Sequence, residues 1–372
     1  MAPRRPPKNR RLREATAADA LMSLPPNILD EILTRLNLRD AVRTSALSRA
    51  WRRRWESLPS VDIVIYEETP QWTVDCVLLR CSGRVRRFYV DLDELSVRRL
   101  HDWLLILSRR GVEDLQLSQH NNELFSLPST VFSCHRLVSL DLFICDVPPL
   151  PPTFEGFPNL KHLTICSNTD YGWNFAELPC LRSAVIDLWE YIGDRDFAKF
   201  LAGLVQVKKL RLYTCYKPVN GIRMVESLPC TFNNLTSLKL FMHFCELPPI
   251  VFMFCILRRA PNLEKLKILI VDGEKQKIEA NGEFLNAQWT DGMCANLQVV
   301  QMTGINWLPN ELSFMKLILS KASCLRSLSV SHDESCSVPL ETPLVELLKY
   351  SRASAQAQVL FNEEKGEQYG NI

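Results

Sequence analysis

The sequence predicts an α/β repeat fold: a small N-terminal unit of three short helices, then an irregular solenoid of stacked strands with a closing module. Three observations predict it. The pattern apolar-x-x-apolar-x-apolar recurs ten times between Val85 and Val330. Ahead of it, residues 21–59 carry apolar side chains at helical spacing. The 372-residue chain is 47% hydrophobic and 23% charged, an ordinary globular composition that supports a core without covalent staples.

Lysine plus arginine number 44 and aspartate plus glutamate 42, a net charge of +2 that gives no global field for nucleic acid or acidic lipid. The positive charge is N-terminal: residues 1–60 are net +7 and the remainder net −5. Residues 1–18 read as a basic, proline-containing, disordered tail. Its run Arg4, Arg5, Lys8, Arg10, Arg11 and Arg13 is either a nuclear import signal or a solvated tail. No apolar signal-peptide core follows the start. The most apolar stretch, Leu247 to Leu257, falls well short of the roughly 18–20 residues of a spanning helix. The expected location is nucleus and/or cytoplasm, with no membrane partner. The 13 cysteines are odd in number and scattered, and no CxxC exists; the closest pair is Cys76 and Cys81. That spacing argues against structural zinc and a RING domain, and no metal or other cofactor is expected.

In the helical unit, Leu24-Pro25-Pro26 opens a first helix, where proline costs no hydrogen bond. Ile28, Leu29, Ile32, Leu33 and Leu36 form one apolar stripe. Asn37 is placed to end that helix and cap the next, with Asp40 suited to the positive helix end. Ala41, Val42 and Leu47 continue the apolar face. Ser48 is predicted to cap a third short helix carrying Trp51 and Trp55, stopped by Pro59. So small a unit rarely sustains its own core, so either the rest of the chain or another protein must cover its apolar face.

The run Leu24-Pro25…Ile28…Ile32-Leu33…Leu36…Asp40-Ala41-Val42-Arg43-Thr44-Ser45-Ala46-Leu47-Ser48-Arg49-Ala50-Trp51-Arg52 resembles an F-box in its plant form. Asn27 stands where that family often has glutamate. The resemblance implies docking on a Skp-family adaptor, and through it on cullin and RING subunits. Carried over by position, it assigns Leu24, Pro25, Ile28, Ile32, Leu33, Leu36, Val42, Leu47 and Trp51 to the adaptor-binding face. Several of these are also expected to pack the helices together.

From Val85 the repeated triplets start at Val85, Val112, Leu137, Leu160, Leu181, Val207, Leu235, Leu263, Leu297 and Leu325. Spacings of 27, 25, 23, 21, 26, 28, 28, 34 and 28 residues average about 27, within the leucine-rich-repeat range. Each unit is a short strand that cannot bury its own apolar face, and stacking buries it. Cys145, Asn168 and Cys215 occupy the consensus polar or thiol position and read as structural. Residues 96–110 read as a return helix with Val97, Leu100, Leu104 and Leu107 on one face. The segment Pro148-Pro149-Leu150-Pro151-Pro152 reads as extended or turn structure rather than helix.

A second resemblance lies at 291–362. Glu311 to Ala322, then Leu325-Arg326-Ser327-Leu328-Ser329-Val330, then Ser351-Arg352-Ala353-Ser354-Ala355-Gln356-Ala357 is similar to the FBD module of plant F-box proteins. Ala355 stands where that family often has proline. A helix at about 311–322, a strand at 325–331 and a helix at about 340–350 would close the open end of the array. The organisation expected is a tail at 1–18, F-box at 19–60, leucine-rich repeats at 61–290, FBD-like cap at 291–362 and a polar tail at 363–372.

No phosphate loop, HExxH or GxSxG motif is present. His332-Asp333-Glu334 follows a repeat strand and reads as a polar turn, and Cys180 and Cys230 as small buried residues. The residues between core positions are expected on the concave side of the sheet. There Arg211, Lys239 and Lys267 recur 28 residues apart, beside the aromatics Tyr213 and Phe241. They are either a strip for an acidic or phosphorylated segment or an ordinary solvated strip. Together these readings predict a non-enzyme: the target-recognition subunit of an SCF-type ubiquitin ligase, binding an adaptor at one end and a target protein on the repeats. The rivals are an adaptor-binding scaffold or sequestering protein, and a nucleic-acid-associated protein acting through the tail and Arg52-Arg53-Arg54. The second lacks interleaved aromatics, so no nucleic-acid partner is expected.

Overall fold

The structure, a computed structural model, describes residues 24–49, 51–65, 72–119, 123–167, 178–188, 201–213, 230–244, 247–271, 282–332 and 341–361. The basic tail, Asn168, Cys215, Asp333, Glu334 and the polar tail lie outside the described residues. Helix α1 spans Pro26–Thr34 and α2 spans Leu38–Arg43. Asn37 caps α2 as the sequence predicts: its side chain accepts the Asp40 N–H at 2.9 Å. Among the described residues between Ser48 and Pro59 there is no α-helix. A 3-10 segment at Thr44–Ala46 precedes them, and turns with a second 3-10 segment, Arg54–Ser57, stand in place of the predicted helix and still bury Trp51 and Trp55. The Trp51 N–H reaches the Ser48 carbonyl, a single tight turn.

Among the described residues, twelve strands form one parallel sheet. In chain order they are β1 (Ser60–Ile65), β2 (Arg84–Leu92), β3 (Asp114–Gln119), β5 (Ser139–Phe143), β7 (His162–Ser167), β8 (Ser183–Leu188), β9 (Lys209–Tyr213), β10 (Ser237–Met242), β11 (Lys265–Ile270), β12 (Val299–Ile305), β13 (Ser327–His332) and β14 (Gln358–Phe361). Strands β4 (Phe125–Ser126) and β6 (Cys145–Asp146) pair separately. All ten predicted strands are present, and two more flank them. Strand β1 carries the same triplet, Leu58, Val61 and Ile63, hidden at the end of the helical unit. Strand β14 pairs Val359 with Leu328 and Phe361 with Val330, but Gln356 occupies its first apolar position and masks the pattern. The array therefore ends on a strand beyond the predicted helix–strand–helix.

One hydrogen-bond device recurs at the junctions. A single carbonyl accepts two successive N–H groups of the next strand. Glu113 O takes those of Val138 and Ser139, Lys208 O those of Thr236 and Ser237, and Gln298 O those of Arg326 and Ser327, at 2.7–3.2 Å. Asparagine side chains add a second tie along the same edge, from Asn262 to Asn233 O at 2.8 Å and from Asn296 to Pro261 O at 3.1 Å. With the register fixed, alternate residues point inward: Leu210, Leu238, Leu266, Val300 and Leu328 are all buried.

The return segments seal this core from the back. Helix α3 (Trp72–Arg80) precedes β2, and α4 (Glu94–Arg110) follows it. Leu100, Leu104 and Leu107 of α4 are buried and Val97 is half-buried; Asp93 caps one end and Gly111, at φ +67°, closes the other. Residues 148–151 take no regular structure and a turn follows at 152–153, where the Phe154 N–H bonds to Pro151 O at 2.9 Å. Leu247–Arg258 is a core helix, α5, buried over most of its circumference; no described helix is long and apolar enough to cross a membrane. Gly282–Gln288 forms α6. Helix α7 (Pro309–Lys321) packs Phe314 against Phe244 and Phe254. Buried Glu311 accepts the N–H groups of Asn306 and Leu308, which settles the turn into α7. Helix α8 (Glu341–Lys349) leads to Arg352-Ala353-Ser354, where Ala353 N–H and the Ser354 hydroxyl bond to Leu319 O and Leu325 O. These bonds tie the Arg352-Ala353-Ser354 turn back to α7 and to the residues leading into β13 within the FBD-like segment.

Close packing at the junction of helical unit and sheet gives a direct test. A Cβ on Gly83 would sit 1.9 Å from Leu58 O, whereas one on Gly282, at the start of α6, meets nothing within 4 Å. Gly83→Ala should destabilise by roughly 2–3 kcal/mol, and Gly282→Ala should be neutral or stabilise by up to about 1 kcal/mol through helix propensity. Urea unfolding of the two variants should therefore shift in opposite directions or leave Gly282→Ala unmoved.

Candidate functional site

Helix α1 carries two apolar stripes side by side. Leu29 and Leu33, one turn apart, face inward and are buried. Ile28 and Ile32, the neighbouring pair, face outward; Ile28 is exposed and Ile32 half-buried. The inner stripe joins Ala41, Trp51, Trp55, Leu58 and Val61 in one cluster continuous with the sheet. The Arg80 guanidinium of α3 lies 5.1 Å over the Trp55 ring and pairs with Glu56. Ser82 N–H bonds to Glu56 O at 2.8 Å and Arg84 N–H to Pro59 O at 3.0 Å. Arg54 pairs with Asp30 at 3.3 Å, tying the unit's last turn back to α1.

The nine residues assigned to the adaptor face divide accordingly. Pro25, Ile28, Leu36 and Leu47 are exposed, Leu47 by 63%. Leu24, Ile32 and Val42 are half-buried, and Leu24 and Val42 pack on the core. Leu33 at 0% and Trp51 at 3% exposure are internal; as the chain stands they support the face rather than form it. That corrects their assignment as surface contacts. Helical periodicity locates an apolar stripe, but the inward covering comes from residues later in the chain, Ala41, Trp51, Trp55, Leu58 and Val61. The chain covers the inner side of the unit and leaves Pro25, Ile28, Leu36 and Leu47 exposed on the outer side.

The second candidate surface is the face of the sheet opposite the core. Parallel register sets Arg211, Lys239 and Lys267 directly beside one another, and likewise Tyr213, Phe241 and Leu269. Arg211, Lys239 and Lys267 are half-buried. Tyr213 and Phe241 stack with ring centroids 3.7 Å apart and planes at 12°, and Lys239 Nζ lies 5.0 Å over the Phe241 ring. Phe241 is only 5% exposed, so it is not the open aromatic the sequence suggested; its neighbours cover its ring. Burial pushes the Tyr213 phenol up to about 12, against the charge of Arg211, which also hydrogen-bonds to it. Sequence reading missed Lys209 and Lys265, two residues before Arg211 and Lys267 and on the same side of their strands. Strict strand alternation was the signal that carried them.

Cys145 is buried, and desolvation pushes its thiol up to about 12. Cys180 is exposed rather than buried, and Cys230 is half-buried. His332 stacks on Phe361 at 5.4 Å, tying β13 to the final strand.

Comparison with known proteins agrees with the helical unit and with part of the repeat array. The F-box domain family model matches residues 21–62. The model described as FBD-associated F-box protein At5g56370, LRR repeats, matches residues 100–171. F-box/FBD/LRR-repeat protein At1g13570 of Arabidopsis thaliana is 26% identical over 413 aligned residues, covering 93% of this chain and 99% of that protein. F-box/FBD/LRR-repeat protein At1g51370 of the same plant is 24% identical over 56% of this chain and 44% of its own length. F-box/LRR-repeat protein At4g14103, also of Arabidopsis thaliana, is 30% identical over 46% of this chain and 52% of its own length. A helical unit docked on a register-locked parallel sheet, with these matches, makes the chain similar to F-box/FBD/LRR-repeat proteins of Arabidopsis thaliana in its F-box and repeat regions.

Proposed function

We propose that this protein is the target-recognition subunit of an SCF-type ubiquitin ligase. The observation that carries the reading is the division of the F-box unit into an inner face held by the chain and an outer apolar face of Pro25, Ile28, Leu36 and Leu47. Exposed leucine and isoleucine on a docked, rigid unit suit a second protein that buries them. In this reading a Skp-family adaptor takes that face and brings cullin and RING subunits with it. The repeats hold the target. The chain contributes no acid, base or nucleophile; its contribution is proximity, holding a target lysine near a charged conjugating enzyme.

Co-expression with a Skp-family adaptor followed by size-exclusion chromatography tests the adaptor step. Wild type should elute as a one-to-one complex, and Ile28→Glu/Leu47→Glu should elute alone. Because both side chains are exposed, that double variant should keep its stability within about 0.5 kcal/mol per site. Leu33→Ala should instead cost roughly 2–5 kcal/mol in chemical unfolding, since it empties a fully buried position. Folded wild type that ignores every adaptor, or a double variant that still binds, would contradict the reading. Recruitment of cullin and RING by the wild-type complex separates a ligase subunit from a sequestering scaffold, which would stop at the adaptor.

A further inference from the structure

The open face of the sheet is divided by charge. On β2–β8 its outward positions carry Asp91, Asp114, Asp141 and Asp187, and their one arginine, Arg87, is paired with Asp114 at 3.1 Å. On β9–β11 the outward positions number three per strand. Lys209, Arg211, Lys239, Lys265 and Lys267 take five of these nine, and no carboxylate takes any. Directly opposed like charges on neighbouring strands, about 4.8 Å apart, repel. The array tolerates this three strands running, in the same row, with an apolar row of Tyr213, Phe241 and Leu269 beside it.

We infer that the β9–β11 face seats an anionic segment of the target protein, with negative side chains over Arg211, Lys239 and Lys267 and an adjoining apolar residue against the half-buried Tyr213 and Leu269. Two inter-strand steps span about 10 Å, which an extended segment covers in about three residues. Arginine and lysine in a row give charge-assisted hydrogen bonds to carboxylate or phosphate alike. The charge division also sets direction, since a segment acidic at one end and basic at the other matches the sheet in one orientation only. This inference rests on the proposed role of the repeats in holding a target, and not on adaptor binding.

Fluorescence anisotropy on the purified full chain tests it. The probes are a labelled peptide with three consecutive glutamates flanked by leucine, its phosphoserine counterpart, its lysine counterpart and a short single-stranded DNA. Tighter binding of the glutamate or phosphoserine peptide than of the lysine peptide is expected, and whichever anionic peptide binds more tightly identifies the source of the charge. Arg211→Gln/Lys239→Gln/Lys267→Gln should weaken that binding by about ten-fold or more. Arg136→Gln/Lys321→Gln/Arg326→Gln removes the same charge from exposed positions elsewhere and should change it less than about two-fold. Circular dichroism confirms that both variants are folded. Equal losses in the two variants, no preference over the lysine peptide, or tighter binding of the DNA than of either anionic peptide would overturn the inference. An adaptor complex that forms while no peptide binds would remove this assignment alone and leave the adaptor role standing.

Discussion

A carbonyl at the start of each repeat strand that accepts two N–H groups from the next strand fixes everything downstream of it. The device holds eight consecutive junctions, beginning at Glu113 O and ending at Gln298 O. It sets register, and register sets faces. A slip of β10 by one residue against β9 and β11 would turn Leu238 outward and Lys239 inward. The core, the charged face and the alignment of Arg211, Lys239 and Lys267 are therefore consequences of one backbone arrangement, repeated while the return segments vary from the long helix α4 to the proline-rich stretch at 147–150.

The same constraint explains the helical unit. A stack of strands needs each end covered, and the first strand, β1, is covered by what precedes it. Trp51, Trp55 and Leu58 lie between α1 and the sheet, with Arg80 laid over Trp55 from outside. The unit is thus a cap for the array as well as a platform. Its inward stripe is consumed by that role, and only the outward stripe remains to meet a partner. At the far end, no helix among the described residues plays the corresponding part. Strand β14 closes the sheet, held by the Arg352-Ala353-Ser354 turn and by the stacking of Phe361 on His332.

Much of this was legible in the sequence, because periodicity and capping are local. The Asn37 cap, the buried face of α4 and ten strands follow from residues close together in the chain. What was not legible depends on distant neighbours. Strand β1 was concealed because Leu58, Val61 and Ile63 begin where the helical run ends, and β14 because Gln356 breaks the apolar triplet. Leu33 and Trp51 share the periodicity of Ile28 and Leu47, and only packing against later residues separates core from surface. Phe241 was read as open because strand alternation gives its direction but not the Tyr213 ring stacked on it. Lys209 and Lys265 were available to the same alternation and complete a cationic face that single-row reading left partial.

The central claim is that one rigid chain presents two separate surfaces, an apolar helical one and a charged sheet. Hydrogen–deuterium exchange with and without a bound Skp-family adaptor tests it most directly. The account predicts added protection confined to residues 24–47, with exchange at β9–β11 unchanged. Protection spread across β9–β11, or none within residues 24–47, would contradict it.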